Sequence, residues 1–399
     1  MNILLAVTGS ISAYKAYDLC RELSKKGHRL KVILSAGALK FIRPETFRYL
    51  GAIETFTPKD DFNVEALGEN QNILHIELAR WAERFVIAPL SANTLSDLAH
   101  GKASDLLTTT ALAYEKRDII AFLAMNTSML NHPATQRNRK VFESDGAFLY
   151  PTSSGEMACG EIGEGKLPPV EEILVAIESY TKKRSGKKLL LTTGSSIAPL
   201  DDIRFVTNPS SGKTGVELAI QFYSQGHDVD ILCGENSDPR LEAFDKLPGA
   251  RLFRLKTTDD FYSKAKELFQ DSHYYISSAA LSDLTFERAS EKIKKENLFK
   301  SLNVQKAKDV LFEMIKLRNQ QVIIGFSAET NNLIENMKEK IDRKPCDYLV
   351  GNLVSTDRKI GFNQESNDYL IMNKSKEVIF NGLLSKRELS IKLQDLCSK

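Results

Sequence analysis

The feature that most constrains the fold is a pattern that occurs twice, in which a continuous apolar run ends in a short turn of glycine and serine. The first copy is residues 3–8 followed by Gly9, and the second is residues 189–193 followed by Gly194. An unbroken apolar run is typical of a parallel strand that is buried on both faces. In the first copy an amphipathic helix and another apolar run follow, which completes a βαβ unit. The repeat of this start predicts two α/β domains.

The boundary between the two domains is predicted in a charged linker at residues 181–188. A chain of 399 residues is too long for one ordinary hydrophobic core, because domains average roughly 150 residues. Domains separate at exposed linkers that few contacts cross. We therefore predict an N-terminal domain at residues 1–182 and a C-terminal domain at residues 187–399.

Composition excludes several classes of protein. The formal net charge is +2 and both signs are interspersed, so we expect no nucleic-acid partner. The five cysteines are scattered without a CxxC spacing, which argues against a disulfide framework and a zinc site and favours a reducing cytoplasm. The apolar N-terminus has no basic region before it, and no apolar run is long enough to cross a bilayer. We expect a soluble cytoplasmic protein without a membrane partner.

Small polar residues follow the apolar runs of the first half. Gly9 and Ser10 come after residues 3–8 and precede a helix, so backbone N–H groups and a hydroxyl are available to a phosphate. The second and third glycines of the dinucleotide fingerprint are absent, so a mononucleotide fits better than NAD. Residues 85–89 end in a second polar cluster at 90–94, at the strand end where open α/β sheets bind ligands.

Two further residues of the first half each allow two interpretations. His75 has apolar neighbours, so it is either a functional histidine or a buried one whose ring is satisfied in the core. Asn126 follows the apolar run 122–125 and is either a ligand-binding residue or only the N-cap of the next helix.

Residues 155–166 form a glycine-rich stretch, with four glycines around Cys159. Because each glycine adds backbone entropy that folding must remove, we expect no stable helix or strand here, but a mobile flap whose backbone can come close to a ligand. Cys159 lies between two small residues and lacks the apolar spacing of a buried structural cysteine. We predict that this thiol takes part in chemistry; the alternative is an incidental loop cysteine.

The second half opens with a turn-rich polar run, residues 201–213, ahead of a predicted helix. Its hydroxyls and its lysine suit an anionic ligand that carries phosphate. It is not a Walker A loop, because the first glycine is missing at the required distance. Further strands are predicted at residues 227–233, 274–277, 322–326, 348–350 and 369–372.

Two charged residues of this half are ambiguous as bare patterns. Asp283 follows the strand at 274–277 within a small-residue cluster, where it either accepts a hydrogen bond from a base or ribose or caps the next element. Lys292 lies in a run of charges, which is more typical of a solvated face. Polar strand ends in both domains predict two nucleotide-type sites.

Taken in order, these stretches resemble the bifunctional coenzyme A biosynthesis family, in which phosphopantothenoylcysteine decarboxylase is fused to phosphopantothenate–cysteine ligase. The resemblance covers essentially the whole chain. In the first half it rests on residues 9–15, His75, 89–94, 124–126 and the segment around Cys159. In the second half it rests on residues 201–215, 279–283, 292–295 and 325–330.

The resemblance implies that the N-terminal domain is a flavodoxin-like, doubly wound parallel sheet that binds FMN. Flavin-dependent oxidation of the substrate's cysteine thiol would let CO2 leave, and reduction would then give 4′-phosphopantetheine. His75 would be the catalytic base, Asn126 would bind the substrate carboxylate, and Cys159 would donate a proton from the flap. The FMN contacts would map to six residues at strand ends, namely Gly9, Ser10, Ser35, Ser91, Asn93 and Thr94.

The same resemblance implies that the C-terminal domain is a Rossmann-like α/β ligase that activates 4′-phosphopantothenate with CTP and Mg2+. Cysteine would attack the acyl-cytidylate, which Asn208 would stabilise, while Lys292 would offset the charge on the phosphate. No metal ligand is assigned. The CTP contacts would map to Ala279, Asp283, Lys292, Lys308, Asp309, Val310, Leu311, Phe326, Lys340 and Lys344. A homo-oligomer is implied, with trimeric contacts of the first domain and dimeric contacts of the second.

The chain departs from the family pattern near several of these residues. Lys166 ends the flap where the family has arginine, which replaces a bidentate grip on an anion by a point charge. Leu90 stands where an alanine is usual, and Leu130 stands where a tryptophan is common. In the ligase half, residues 195–198 replace Gly-Thr-Arg-Glu and residues 306–309 replace Lys-Asn-Pro-Asp.

Two other functions are compatible with two α/β nucleotide folds. One is a non-catalytic flavoprotein that serves as a binding or regulatory subunit, and the presence of both His75 and Cys159 counts against it. The other is a nicotinamide-dependent oxidoreductase, which the missing dinucleotide fingerprint disfavours.

Overall fold

The structure, a computed structural model, describes residues 1–60, 73–156, 160–287, 303–355, 364 and 366–398. The chain divides into two compact units, Met1–Glu178 and Ser179–Lys399, and each has its own hydrophobic core. Within the described residues, no helix is both long enough and apolar enough to cross a membrane.

The N-terminal unit is built on six parallel strands. They are β1 (Asn2–Val7), β2 (Arg29–Leu34), β3 (Glu54–Phe56), β4 (Arg84–Leu90), β5 (Ile120–Leu123) and β6 (Phe148–Tyr150). Their order across the sheet is β3-β2-β1-β4-β5-β6, with every neighbouring pair parallel. From Ile3 to Val7 the central strand is fully buried, as its unbroken apolar run predicts. The order reverses between β1 and β4, which opens a crevice at the carboxyl ends of these two strands.

Helices flank this sheet. They are α1 (Lys15–Lys25), α2 (Pro44–Tyr49), α3 (Leu74–Trp81), α4 (Ala92–Ala99), α5 (Leu106–Ala113), α6 (Thr127–Asn131), α7 (Pro133–Ser144) and α8 (Val170–Ser179). A single 3-10 turn, Ile11–Tyr14, leads from the end of β1 into α1, and the Ser10 hydroxyl caps it by accepting a hydrogen bond from Ser12 N at 3.3 Å. Apolar residues at helical spacing bury one face of α1 on the sheet.

The glycine-rich stretch corrects one prediction. Residues on both sides of the segment 157–159 form strands, β7 (Ser153–Glu156) and β8 (Ile162–Lys166), which pair antiparallel with Gly155 opposite Gly163. The expectation that four glycines prevent a strand is therefore wrong. Cross-strand hydrogen bonds and a close approach to the neighbouring loop outweigh the entropy that the glycines lose.

The C-terminal unit contains a larger, mixed sheet. Its strands are β9 (Lys188–Thr193), β12 (Asp228–Gly234), β13 (Ala250–Leu255), β14 (Tyr274–Ser277), β17 (Val322–Glu329), β18 (Tyr348–Leu353), β19 (Ser366–Asn373) and β20 (Val378–Ser385). Two small antiparallel hairpins lie outside it, β10 (Ile197–Pro199) with β11 (Phe205–Thr207) and β15 (Leu284–Phe286) with β16 (Val304–Lys306). The helices are α9 (Lys213–Ser224), α10 (Thr258–Phe269), α11 (Val310–Lys316), α12 (Leu333–Arg343) and α13 (Lys386–Cys397).

The strand order of the large sheet is β13-β12-β9-β14-β17-β18-β19-β20. It is parallel from β13 to β18, whereas β19 and β20 add antiparallel strands at one edge. The order reverses between β9 and β14, so this unit too has a crevice at a switch point.

The predicted α/β class, with a parallel sheet in each half, is confirmed. In both units the parallel strands follow the Rossmann-type order, in which the first strand is central and the second and third lie to one side. In the N-terminal unit this order differs from that of flavodoxin itself, where the third strand lies on the other side of the first.

Candidate active sites

The six residues predicted to contact FMN lie at the carboxyl ends of β1, β2 and β4, which are neighbours in the sheet. Two contacts bring these strand ends together. Thr8 Oγ1 donates to Pro89 O at 2.8 Å and accepts from Ser91 N at 2.8 Å. Gly9 faces Gly37 in the turn after β2, and a Cβ atom on Gly9 would lie only 2.9 Å from Gly37 Cα. The turns after β1 and β2 can therefore approach this closely only with glycine at position 9.

Hydroxyl groups at these strand ends are oriented by local hydrogen bonds. Ser35 is buried and accepts from Ala38 N at 3.2 Å. Ser91 caps α4 and accepts from Thr94 N at 3.4 Å. Such bonds use an oxygen lone pair, so the O–H groups of Ser10 and Ser35 can still donate to a phosphate oxygen.

His75 and Asn126 lie on other elements of the N-terminal unit. His75 is in the first turn of α3 and is partly exposed, which excludes a fully buried core histidine. Asn126 caps α6, as one of its two interpretations predicts, by accepting from Ser128 N at 2.8 Å. Its Nδ2 donates to Glu161 Oε2 at 2.7 Å, so the same side chain also contacts the segment that leads into β8. Cys159 lies outside the described residues.

The β7–β8 hairpin is fixed to the loop that presents Asn126. Met125 N donates to Gly165 O at 3.0 Å, and Thr127 Oγ1 donates to Glu164 O at 2.6 Å. A Cβ atom on Gly165 would lie 2.2 Å from Met125 O, and the backbone there has a φ of +112°. A glycine is therefore required at position 165 by both space and backbone conformation.

In the first half, the positions at which the chain departs from the family pattern are of two kinds, buried core residues and a charged residue. Leu90 and Leu130 are buried members of the hydrophobic core, so they change packing. Lys166 is the last residue of β8, and its charge affects Lys15. Burial lowers the pKa of the Lys15 ammonium, the charge of Lys166 lowers this pKa further, and the charge of Glu171 raises it. Two neighbouring cations favour an anionic ligand beside Lys15 and Lys166, although Lys166 lacks the planar guanidinium with which an arginine binds an anion through two hydrogen bonds.

In the C-terminal unit a cavity of about 410 Å3 lies at the carboxyl ends of β9, β14, β17 and β18. This volume is in the range of small-molecule sites. Asn208 and nine of the residues predicted to contact CTP line it: Ala279, Asp283, Lys308, Asp309, Val310, Leu311, Phe326, Lys340 and Lys344. Lys292 lies outside the described residues.

Lysines give this cavity a positive wall. Lys344 forms an ion pair with Asp309, which also caps α11 by accepting from Phe312 N at 3.1 Å, so the altered segment 306–309 keeps its capping residue. Burial lowers the pKa of Lys340, and the charge of Lys344 lowers it further. Lys308 is more exposed and pairs with Asp259 at 3.1 Å. In the described part of the chain, no group of three or more His, Cys, Asp or Glu side chains is placed to hold a metal ion.

Two side chains fix the loop that follows β14. Asn208 Nδ2 donates to Ala280 O at 3.1 Å and to Leu281 O at 3.3 Å. Ser196, one of the residues in which the chain departs from the family, is fully buried, and its Oγ accepts from Ser282 N at 2.8 Å. The altered segment 195–198 therefore contributes a hydroxyl that holds the loop in place.

Four polar residues of β18, β19 and α13 also line the cavity and were not predicted from the sequence: Asn352, Asn367, Tyr369 and Lys386. Asn352 follows the apolar run of β18, so the strand-end rule could have found it. The other three lie on β19 and at the start of α13, and no strand was predicted at β20. Only the antiparallel pairing brings them to this edge.

Comparison with known proteins gives one match for each unit. Residues 1–197 match the model of the Flavoprotein family, and residues 184–399 match that of the DNA/pantothenate metabolism flavoprotein C-terminal domain.

Whole-length relatives match as well. The chain is 32% identical to the coenzyme A biosynthesis bifunctional protein CoaBC of Bacillus subtilis (strain 168), over 98% of this chain and 95% of that protein. It is 31% identical to the protein of the same name from Escherichia coli (strain K12), over 92% of this chain and 89% of that protein. Among solved structures, a cysteine-to-serine mutant of PPC decarboxylase complexed with pantothenoylaminoethenethiol is 31% identical. That match covers 43% of this chain and 93% of the other, with a TM-score of 0.39.

Proposed function

The chain belongs to the family of coenzyme A biosynthesis bifunctional proteins, and on that premise we propose how its two units divide the reaction. It is an enzyme with decarboxylase and ligase roles, and its N-terminal unit is a flavoprotein. In our proposal the C-terminal unit joins cysteine to 4′-phosphopantothenate, and the N-terminal unit decarboxylates the product, phosphopantothenoylcysteine. One observation supports this assignment of one step to each unit. In each unit, residues that the resemblance predicts for FMN or for CTP lie where the strand order of the sheet reverses.

The ligase half uses CTP with its Mg2+ in the cavity of the C-terminal unit. The carboxylate of 4′-phosphopantothenate attacks the α-phosphorus of CTP, pyrophosphate leaves, and the amine of cysteine then displaces CMP. Lys340 and Lys344 line the cavity and balance the negative charge of the triphosphate. Asn208, fixed against the loop after β14, faces the same cavity and stabilises the acyl-cytidylate.

The decarboxylase half binds FMN in the crevice between β1 and β4. The close approach of Gly9 to Gly37 brings the turns after β1 and β2 together, and the hydroxyls of Ser10 and Ser35 in these turns can donate to its phosphate. When bound, FMN supplies the oxidation of the substrate's thiol and returns the two electrons after CO2 has left. Asn126 orients the substrate carboxylate, and His75 accepts a proton. Cys159, outside the described residues, donates one.

The experiment that tests this division follows both steps in one mixture. Purified protein is incubated with 4′-phosphopantothenate, cysteine, CTP and Mg2+, and the products are identified by mass spectrometry. We expect 4′-phosphopantetheine, CMP and CO2 in equal amounts. A second mixture supplies phosphopantothenoylcysteine directly, without CTP.

Two variants separate the halves. Asn126→Ala should accumulate phosphopantothenoylcysteine and CMP without CO2, because only the decarboxylase site is altered. Asn208→Ala should form no product from 4′-phosphopantothenate but should still decarboxylate phosphopantothenoylcysteine. If the wild-type protein acts on neither substrate, the proposal is wrong; if each variant loses both steps, the assignment of one step to each unit is wrong.

We also propose that the C-terminal unit forms a homodimer and the N-terminal unit forms trimeric contacts. Large apolar side chains are exposed on the β10–β11 hairpin at Phe205 and Val206 and on the β15–β16 hairpin at Leu284 and Val304. A second copy of the chain would cover them. Light scattering should show an assembly of several chains, and Phe205→Asp should reduce its mass; a monomeric wild-type protein would contradict the proposal.

A further inference from the structure

A chain of hydrogen bonds joins the end of β17 to one face of α12. Lys340 Nζ donates to Phe326 O at 3.1 Å and to Ser327 Oγ at 3.2 Å. The Ser327 hydroxyl donates in turn to Glu329 Oε1 at 2.6 Å. Glu329 Oε2 accepts from Asn336 Nδ2 at 3.0 Å. Because Asn336 and Lys340 are four residues apart on α12, the chain of contacts closes into a ring.

The chemistry of the groups fixes the direction of these bonds. A serine hydroxyl has one hydrogen, and when Ser327 gives it to Glu329, its lone pairs are left for the ammonium of Lys340. Ser327 is 2% exposed, so water does not compete for either bond. Asn336 holds the second oxygen of Glu329, so the carboxylate cannot rotate away without losing a partner.

We propose that Glu329 is a positioning residue of the ligase reaction, which acts through Ser327 to hold the ammonium of Lys340 at the wall of the cavity. This inference rests on the proposed assignment of the cavity to CTP. An ammonium has three N–H bonds, and two of those of Lys340 are directed at Phe326 and Ser327. The third N–H bond would donate to a phosphate oxygen of the nucleotide. Glu329 is not one of the described residues that line this cavity, so in our proposal it sets the direction of this donor through Ser327.

The charges around Lys340 support this role. Burial lowers the pKa of its ammonium, and Lys344, which follows α12, lowers it further. Glu329 on β17, Asp309 at the start of α11 and Asp283 after β14 act in the opposite direction. Removing the charge of Glu329 would therefore lower the pKa of Lys340 further and deprotonate a larger fraction of it at alkaline pH.

The test measures the ligase reaction of the full chain by pyrophosphate release at several pH values. The variants are Glu329→Gln, Ser327→Ala, Lys340→Ala and the double variant Glu329→Gln with Lys340→Ala. Glu335→Gln is the matched control, because Glu335 is an exposed carboxylate on the same helix and is not among the charges that set the direction of the Lys340 pKa. For each variant the KM for CTP, the KM for cysteine and kcat are determined.

Ser327→Ala removes the hydroxyl that accepts from Lys340, and Glu329→Gln keeps an acceptor for Ser327 but loses both the charge and the acceptor for Asn336. Each should raise the KM for CTP about two- to tenfold, the effect of losing one hydrogen bond, and leave the KM for cysteine unchanged. Glu329→Gln should also move the alkaline rise of the KM for CTP to lower pH, which a merely structural role would not do. The double variant should be no worse than Lys340→Ala alone, because Glu329 acts only through Lys340.

The inference is wrong if Lys340→Ala raises the KM for CTP while Glu329→Gln has the KM and pH profile of the Glu335→Gln control. It is also wrong if the effects of the two single variants multiply in the double variant. If Lys340→Ala leaves the KM for CTP unchanged, the assignment of the cavity to CTP is wrong, which is a different result from a failure of the role of Glu329. Should Glu329→Gln not fold, Ser327→Ala carries the test, since a KM for CTP equal to that of wild type would exclude the relay.

Discussion

Asn126 Nδ2 donates a hydrogen bond of 2.7 Å to Glu161 Oε2. A carboxylate of the protein itself is therefore bound to the amide that we propose binds the substrate carboxylate. The side-chain amide has two N–H bonds and Glu161 accepts one of them, so a substrate carboxylate at this amide would lie beside a second negative charge. Glu161 is exposed and lies at the start of the segment that enters β8, so it can leave without opening the core. Because like charges repel, we expect Glu161 to leave Asn126 when substrate binds.

We expect Glu161→Ala to lower the KM of the decarboxylase for phosphopantothenoylcysteine. Removal of the competing carboxylate frees the amide and also removes a repulsive charge, which together should lower the KM about two- to tenfold, the range for one net hydrogen bond. The measurement is the rate of CO2 release as a function of substrate concentration. Glu156→Gln, an exposed carboxylate on the other strand of the hairpin, is the control and should leave the KM unchanged. A higher KM in Glu161→Ala would show that Glu161 helps to bind substrate instead.

A second prediction concerns the glycine that lies against Met125. Gly165→Ala places a Cβ atom 2.2 Å from Met125 O at a φ of +112°, so the hairpin must move away from the Asn126 loop. We expect CO2 release to fall at least tenfold while pyrophosphate release by the C-terminal unit is unchanged. Gly101→Ala is the control, since Gly101 also has a positive φ but nothing within 4 Å of its Cβ position. Equal losses in the two variants would trace the effect to backbone strain alone.

This hairpin also shows why part of the fold could not be predicted from the sequence. The four glycines of this stretch predict no strand, because each glycine loses more backbone entropy on folding than any other residue. The structure pairs Gly155 with Gly163 across a hairpin and fixes Gly165 to Met125, which is distant in sequence, and these contacts together outweigh the local preference. Those contacts depend on the position of the Asn126 loop, about which the glycine-rich stretch contains no information.

The sites themselves were more predictable, because parallel strands end at one edge of a sheet. Ala279 and Asp283 follow β14, and Phe326 lies near the end of β17, so a rule about strand ends brings them to one cavity. Lys340 lies on α12 and Lys344 directly follows it, so no strand end points to them, and only the family resemblance predicts them. Lys386 was missed because it reaches the cavity only after two reversals of chain direction, through β19 and β20.

The stability of the N-terminal unit should depend on a buried carboxylate at the end of α8. Burial alone would raise the pKa of Glu178, but the hydrogen bond with His28 at 3.0 Å and the charge of Lys26 outweigh it and hold that pKa below 4.5. A carboxylate whose pKa is lowered by folding stabilises the folded state above its unfolded pKa, and the contribution is lost as the pH falls through the lowered value.

We therefore expect Glu178→Gln to reduce the free energy of unfolding at neutral pH by about 1–3 kcal/mol, the effect of a broken charged hydrogen bond. The deficit should shrink as the pH falls below about 4.5 toward the lowered pKa, since the wild-type carboxylate is then protonated as well. Urea titrations followed by the fluorescence of Trp81, the chain's one tryptophan, report on this unit. Glu22→Gln is the control, because Glu22 is a partly exposed carboxylate of α1 that pairs with the exposed Lys25. A deficit that is constant with pH would mean that packing rather than charge is lost.

The last prediction concerns Ser196, which stands in a segment where the chain departs from its family. Its fully buried Oγ accepts from Ser282 N at 2.8 Å and lies 2.9 Å from Thr258 Oγ1, so it joins the loop after β14 to α10. Ser196→Ala leaves the N–H of Ser282 buried without this acceptor, which costs about 1–3 kcal/mol. Because the same loop carries Ala279 and Asp283 at the cavity, the KM for CTP should rise while CO2 release from phosphopantothenoylcysteine is unaffected.

Ser195→Ala is the matched control for this prediction, because Ser195 is adjacent in sequence but only partly buried and accepts a longer bond, 3.3 Å, from Thr207. Stability and the KM for CTP are measured on both variants. A loss of stability in Ser196→Ala without a change in the KM would mean that the loop keeps its position through Asn208, whose two bonds to Ala280 and Leu281 then suffice. A change in both would show that the serine at position 196 supports the nucleotide site in place of the residue usual in the family.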